Sequence, residues 1–119
     1  MDNREFSKRL ETRTREYAME IIRLSEQLPG TPEMNVIRHQ FTKSGTSVGA
    51  NYREANRSRS KADFANKIKI CASEASETVY WLEIIENLKI LNDDMVTKIL
   101  REANELLALF TSITSKLKL

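Results

Sequence analysis

The chain has 119 residues, 40% hydrophobic and 30% charged, the make-up of a single soluble globular domain that can bury a core without cross-links. With 3 Gly and 2 Pro it has too few turn formers for a β-rich fold, and its 1 Cys, Cys71, has no partner for an intramolecular disulfide, as expected in a reducing compartment. The net charge is only +2, but residues 31–60 hold five basic and two acidic side chains while the rest of the chain is near balance.

The N-terminal MDNREFSKRL is charged and has no apolar signal core. No apolar run approaches the ~20 residues of a membrane helix. A cytoplasmic location without membrane contact is the expectation. The first helix is predicted over about residues 3–28, with a stripe at Phe6, Leu10, Tyr17, Ile21, Leu24 and Leu28. Arg13 or Thr14 falls at the missing contact. The break LPGTPE follows: Gly30 suits a positive φ past a helix end, Thr31 a cap and Pro32 a first helical position.

The second helix is predicted over about 32–56, with the stripe Ile37, Phe41, Ser44, Val48, Tyr52 and Ala55. Its middle is rich in small residues. Gly45 and Gly49, each ~1 kcal/mol worse than Ala in a helix, imply the close approach of another backbone. Ser60 and Asp63 then form a capping-box variant, with Asp in place of the usual Glu or Gln.

The third helix is predicted over about 61–91, on Phe64, Ile68, Cys71, Ala75, Thr78, Leu82 and Ile85. A second stripe runs beside it: Ile70, Glu74, Glu77, Trp81, Ile84 and Leu88. Asn92 is the expected cap of the fourth helix, over about 93–117, which carries Val96, Ile99, Ala103, Leu106, Phe110, Ile113 and Leu117. Short links make sequential helices antiparallel neighbours. The predicted fold is an all-α, up-down-up-down antiparallel four-helix bundle in one domain, 1–119. Tyr80 and Trp81 sit ~100° apart on a helix and so face different surroundings. Helix three's two stripes and helix four's wide apolar arc fit either a broad core-facing side or a subunit interface.

Catalytic constellations are missing. Glu74 and Glu77 share a face, but no His follows them at the spacing of a di-metal bundle site, so neither a metal nor a cofactor is expected. His39, in RHQFTKSG, loosely resembles the phosphoryl-accepting helix of histidine phosphotransfer domains. Those want Lys and Gly three and four residues on; here Thr42 and Lys43 stand there, and the spacing fails. Cys71, within an apolar stripe, is read as packing. The basic run Arg53, Arg57, Arg59 and Lys61 has two readings: favourable charge near the C-terminus of helix two, or a nucleic-acid-binding patch.

The segments SVGANYREANRSRSKADF and KICASEASETVYWLEII carry a family resemblance. With small residues before Ala50 and Asn51, then Glu54, Ser58, Ser60, Asp63, Phe64, Glu77 and Tyr80, and with the earlier Leu28–Pro29, nearly the whole chain resembles the bacterial four-helix bundle proteins called 23S rRNA intervening-sequence proteins. Ala55 stands where many members have Gly. The resemblance implies a left-handed bundle assembled as a homopentameric ring. It also implies kinship with the accessory variability protein of diversity-generating retroelements, a basic pentamer that associates with a reverse transcriptase and nucleic acid.

The reading that follows is a non-enzymatic oligomeric scaffold or adaptor. It contacts RNA, DNA or a nucleic-acid enzyme weakly through Arg53, Arg57, Arg59 and Lys61, repeated around a ring. Asn51, Glu54, Asp63, Glu74, Glu77, Tyr80 and Trp81 then form a polar cluster or interface that sets helix register or subunit contacts. The alternative is a histidine phosphotransfer-like signalling component using His39.

Overall fold

Hydrogen bonding explains where each helix stops. In the computed structural model, which describes residues 3–91 and 94–117, helix α1 runs Asn3–Ser25. Gln27 N–H and Leu28 N–H then donate to Leu24 and Ser25 carbonyls, tightening the chain into a turn before the sequence-based bound at 28. Leu28 still reaches the core from that turn, at 5% exposure. Helix α2 spans Pro32–Ala55, with Thr31 accepting from the Met34 N–H at 3.2 Å.

Helix α3 spans Lys61–Leu88, capped by the Ser60 hydroxyl, which accepts from the Asp63 N–H at 3.0 Å. It ends short of residue 91 because Lys89 turns left-handed, at φ 52°. A non-glycine residue there carries no recognisable sequence signal. Helix α4 spans Asp94–Lys116. Its expected cap, Asn92, lies outside the described residues.

Contacts between helices fix the topology. Thr14 meets Gly49 and Ile21 meets Gly45, so α2 runs antiparallel to α1. Ser44 meets Thr78 and the Val48 carbonyl meets Cys71, so α3 reverses again. Arg13 reaches Glu102 and Gln27 reaches Met95, which closes α4 antiparallel against α1. The result is an up-down-up-down bundle, 44 × 26 × 20 Å. Among the described residues no helix is long and apolar enough to cross a membrane.

The core is the stripe of each helix turned inward: Tyr17, Ile21 and Leu24 from α1, Phe41, Val48 and Tyr52 from α2, Ile68, Leu82 and Ile85 from α3, and Ile99, Leu106 and Phe110 from α4. Thr14 fills the gap in the α1 stripe; its hydroxyl donates back to the Leu10 carbonyl at 2.9 Å. Phe6 is the exception, 38% exposed near the end of the bundle. A Cβ on Gly45 would lie 2.9 Å from Ile21 Cγ1, and one on Gly49 would lie 3.0 Å from Thr14 Oγ1. Both glycines therefore mark where α1 and α2 nearly touch.

Two polar devices hold the frame. The Arg38 guanidinium donates to the Ser25 carbonyl at 2.9 Å, the Pro29 carbonyl at 3.1 Å and the Leu28 carbonyl, tying the open C-terminal end of α1 to α2. Arg13 grips Glu102 with two bonds of 2.7 Å and adds Glu105 at 2.9 Å, bridging α1 and α4. The hydrogen bond to Glu102, more than any other influence, pushes the Arg13 pKa above its ordinary value.

Candidate nucleic-acid interface

The turn between α2 and α3 does not treat its four cations alike. Arg53, in the last turn of α2, lies 3.9 Å from Glu11 on α1. Arg57 follows the helix end, where positive charge favours the α2 macrodipole. Arg59 and Lys61 belong instead to the start of α3: Arg59 precedes the cap Ser60, and Lys61 is the first helical residue. Positive charge there opposes the positive end of the α3 macrodipole, by ~0.3–1 kcal/mol per charge. Helix-end electrostatics thus account for Arg53 and Arg57 but not for Arg59 and Lys61.

Arg57, Arg59 and Lys61 are all exposed, and among the described residues none of them forms an ion pair. A further cation joins them through the fold. Lys116, at the C-terminal end of α4, reaches the same end of the bundle. Together with Asn56, Arg59, Ser60, Lys61 and Phe64 it lines an open groove of about 650 Å³. Sequence reasoning missed Lys116 because only the bundle topology brings residue 116 beside residue 59.

The residues read as a polar cluster are spread over the α2–α3 side. Asn51 is half-buried and donates to the Ser47 carbonyl one turn back, at 2.8 Å. Glu54 is exposed, Glu74 is half-buried, and among the described residues neither carboxylate is ion-paired or hydrogen-bonded. Glu77 accepts from Trp81 Nε1 at 3.2 Å, and Trp81 packs edge-on to Tyr80 with ring centroids 5.0 Å apart, so the two aromatics expected to face different surroundings reach across the helix surface to touch. Asp63 acts through its backbone, as the partner of the Ser60 cap. Within one chain these groups form local pairs rather than one connected network.

The connected polar contacts lie deeper, at positions read from sequence as stripe residues. Thr78 Oγ1 sits 2.8 Å from Ser44 Oγ and 2.7 Å from the Glu74 carbonyl, pinning α3 to α2 inside the core. The buried Tyr17 phenol lies near Thr78, and burial raises its pKa above the ordinary value. Burial likewise pushes the Cys71 thiol up to about 12, and its Sγ–H donates to the Val48 carbonyl at 3.5 Å. A thiol held protonated at neutral pH is a poor nucleophile.

His39 is exposed on α2, with Lys43 exposed one turn on. Among the described residues no group of three or more His, Cys, Asp or Glu side chains could hold a metal. What the surface offers chemically is charge at one end and separate exposed apolar side chains along α3: Ile70 is 42%, Tyr80 57% and Leu88 55% exposed.

Fold and surface together define the class: a single antiparallel four-helix bundle with a basic end. The sequence profile of the 23S rRNA-intervening sequence protein family matches residues 9–112. The chain belongs to that family. It is also similar to a solved structure from Bacteroides thetaiotaomicron, described as a protein of unknown function from the S23 ribosomal protein family. The two align with a TM-score of 0.81 at 34% identity, over 92% of this chain and 97% of that one. No curated protein matches the chain significantly.

Proposed function

We propose that this protein is a non-enzymatic scaffold or adaptor, assembled as a ring of five copies, whose basic ends contact the phosphate backbone of RNA or DNA. The observation that carries the contact is the placement of Arg59 and Lys61. Among the described residues neither has an ion-pair partner, and both stand at the positive end of α3, where they work against the helix, beside the Lys116 groove. An incoming phosphate removes that conflict, because helix N-termini and cations both favour an anion.

The exposed apolar side chains of α3 are the surface that an assembly would cover. Ile70, Tyr80 and Leu88 are each more than 40% exposed, and Trp81 is half-buried beside them. Asn51, Glu54, Glu74 and Glu77 flank that surface and would supply its polar contacts. One basic end binds weakly; five held in one ring add their phosphate contacts.

Two measurements test this. Light scattering should give five times the 13.7 kDa chain mass; a monomer overturns the ring. Affinity for labelled nucleic acid should fall with salt, and the Arg57→Ala, Arg59→Ala double variant should flatten the log–log slope. Binding insensitive to both changes removes the phosphate contact.

A further inference from the structure

The groove at the basic end contains a residue that a purely electrostatic surface does not need. Phe64 sits one turn into α3 and is half-buried, with part of its ring against the core and part lining the groove. Lys61 and Lys116 line the same groove from two helices, and Arg59 lines it from the turn. An aromatic face set among cations is the arrangement that holds unpaired bases, since every base has a π-face and is followed by a phosphate.

We propose that this groove seats one nucleotide of a single-stranded nucleic acid, its base against Phe64 and its phosphate on Arg59, Lys61 and Lys116. The proposal rests on the phosphate-contact reading above and sharpens it: the partner is single-stranded rather than duplex. Size agrees. About 650 Å³ lies within the ~300–1,000 Å³ of small-molecule sites. A duplex keeps its bases stacked on one another and so cannot present a base face to Phe64 without unpairing. In the groove Asn56 Nδ2 donates to Glu11 Oε2 at 2.8 Å and the Ser60 oxygen accepts from the Asp63 N–H, so the Asn56 side-chain carbonyl and the Ser60 O–H are the groups left to bond a base edge or ribose hydroxyl, which fits a seat without strong sequence preference.

The test compares a labelled oligouridine strand, the matching oligothymidine strand and a duplex DNA of equal length by fluorescence anisotropy, across a salt series. Both single strands should bind more tightly than the duplex; a difference between them identifies RNA or DNA as the better ligand. Phe64→Leu, which keeps an apolar side chain against the core, should weaken single-strand binding by roughly five- to a hundredfold and leave duplex binding unchanged. Phe64→Trp should restore it. Lys116→Gln, at an exposed position, serves if Phe64→Leu fails to fold by circular dichroism: it should lower the single-strand salt slope. Salt-sensitive binding that is equal for strand and duplex, and indifferent to Phe64→Leu or Lys116→Gln, overturns the nucleotide seat and leaves the basic-end contact standing. No salt-sensitive binding to any of the three overturns both.

Discussion

Alanine at Gly45 should change sign with its neighbour. In an isolated helix the substitution gains ~1 kcal/mol. Here the new Cβ would stand 2.9 Å from Ile21 Cγ1, 3.0 Å from Cγ2 and 3.1 Å from Cδ1. The first two are branch atoms of a side chain stiff at χ1, fully buried at 0% exposure, so a rotamer change cannot clear them. Overpacking of this kind costs ~1–3 kcal/mol. Gly45→Ala should therefore destabilise the protein by about 1 kcal/mol net. Ile21→Ala alone should cost ~2–5 kcal/mol through lost burial and a cavity. In that background the clash is gone, and Gly45→Ala should stabilise by about 1 kcal/mol. The coupling of about 2 kcal/mol is read from a double-mutant cycle in urea, at one fixed protein concentration because an assembly's stability depends on it. If Gly45→Ala stabilises equally in both backgrounds, the glycine does not mark a tight α1–α2 contact and the reasoning fails. Gly49→Ala is the companion case, with the Thr14 backbone carbon only 3.3 Å from the new Cβ.

Arg38→Met keeps the side-chain stem but removes the bonds to the Ser25, Leu28 and Pro29 carbonyls. It should cost about 1–2 kcal/mol in urea unfolding, the low end for charged hydrogen bonds because water can reach the turn. Arg38→Lys should not recover it, since an ammonium lacks the planar fork. Alkaline pH tests the buried acids. Cys71 is raised from 9.0 to about 12 and Tyr17 is raised above 10.0, so the unfolded chain releases these protons first. The stability contributed by these two groups should hold up to about pH 9, then fall as pH rises toward 12, by at most ~1.4 kcal/mol per pH unit per group. Cys71→Ala should remove the part of the decline that begins near pH 9 and leave the part due to Tyr17; a decline unchanged by that variant would assign it elsewhere.

The helices were legible because their stripes have a helical period and their starts carry caps: Thr31 with Pro32, and Ser60 with Asp63. The glycine pair was legible as a close approach because glycine is otherwise a poor choice in mid-helix. Helix ends were less so. Lys89 adopts a left-handed conformation with no glycine to announce it, and Ser25 begins a tight turn inside what reads as continuous stripe. Polar roles were the least legible. Thr14, Ser44 and Thr78 are buried, whereas Glu54 and Glu77, which look like network members in sequence, are exposed. A short hydroxyl residue bonds its own helix wherever it sits, so its burial depends on packing that one sequence does not display. Arg38 and Arg13 act across turns and across the whole chain, and nothing local separates them from the other arginines.

The position of Lys61 allows stability and binding to be set against each other. A residue selected for folding at the first position of α3 would be acidic or neutral, as Asp63 is two residues on. Lys61→Gln removes an exposed cation from the positive end of the helix and should stabilise the protein by about 0.3–1 kcal/mol at low salt, with Lys61→Glu gaining more. The gain should vanish at molar salt, where the screening length falls to ~3 Å. The same substitution should weaken nucleic-acid binding and lower its salt slope, by about one contact per copy engaged. The two effects have opposite signs and one origin, a positive charge at the positive end of the helix. If Lys61→Gln weakens binding without stabilising the protein, the lysine contacts phosphate but is not in conflict with the helix. If it stabilises without touching the affinity, the charge is an electrostatic liability and the basic end loses its carrying observation.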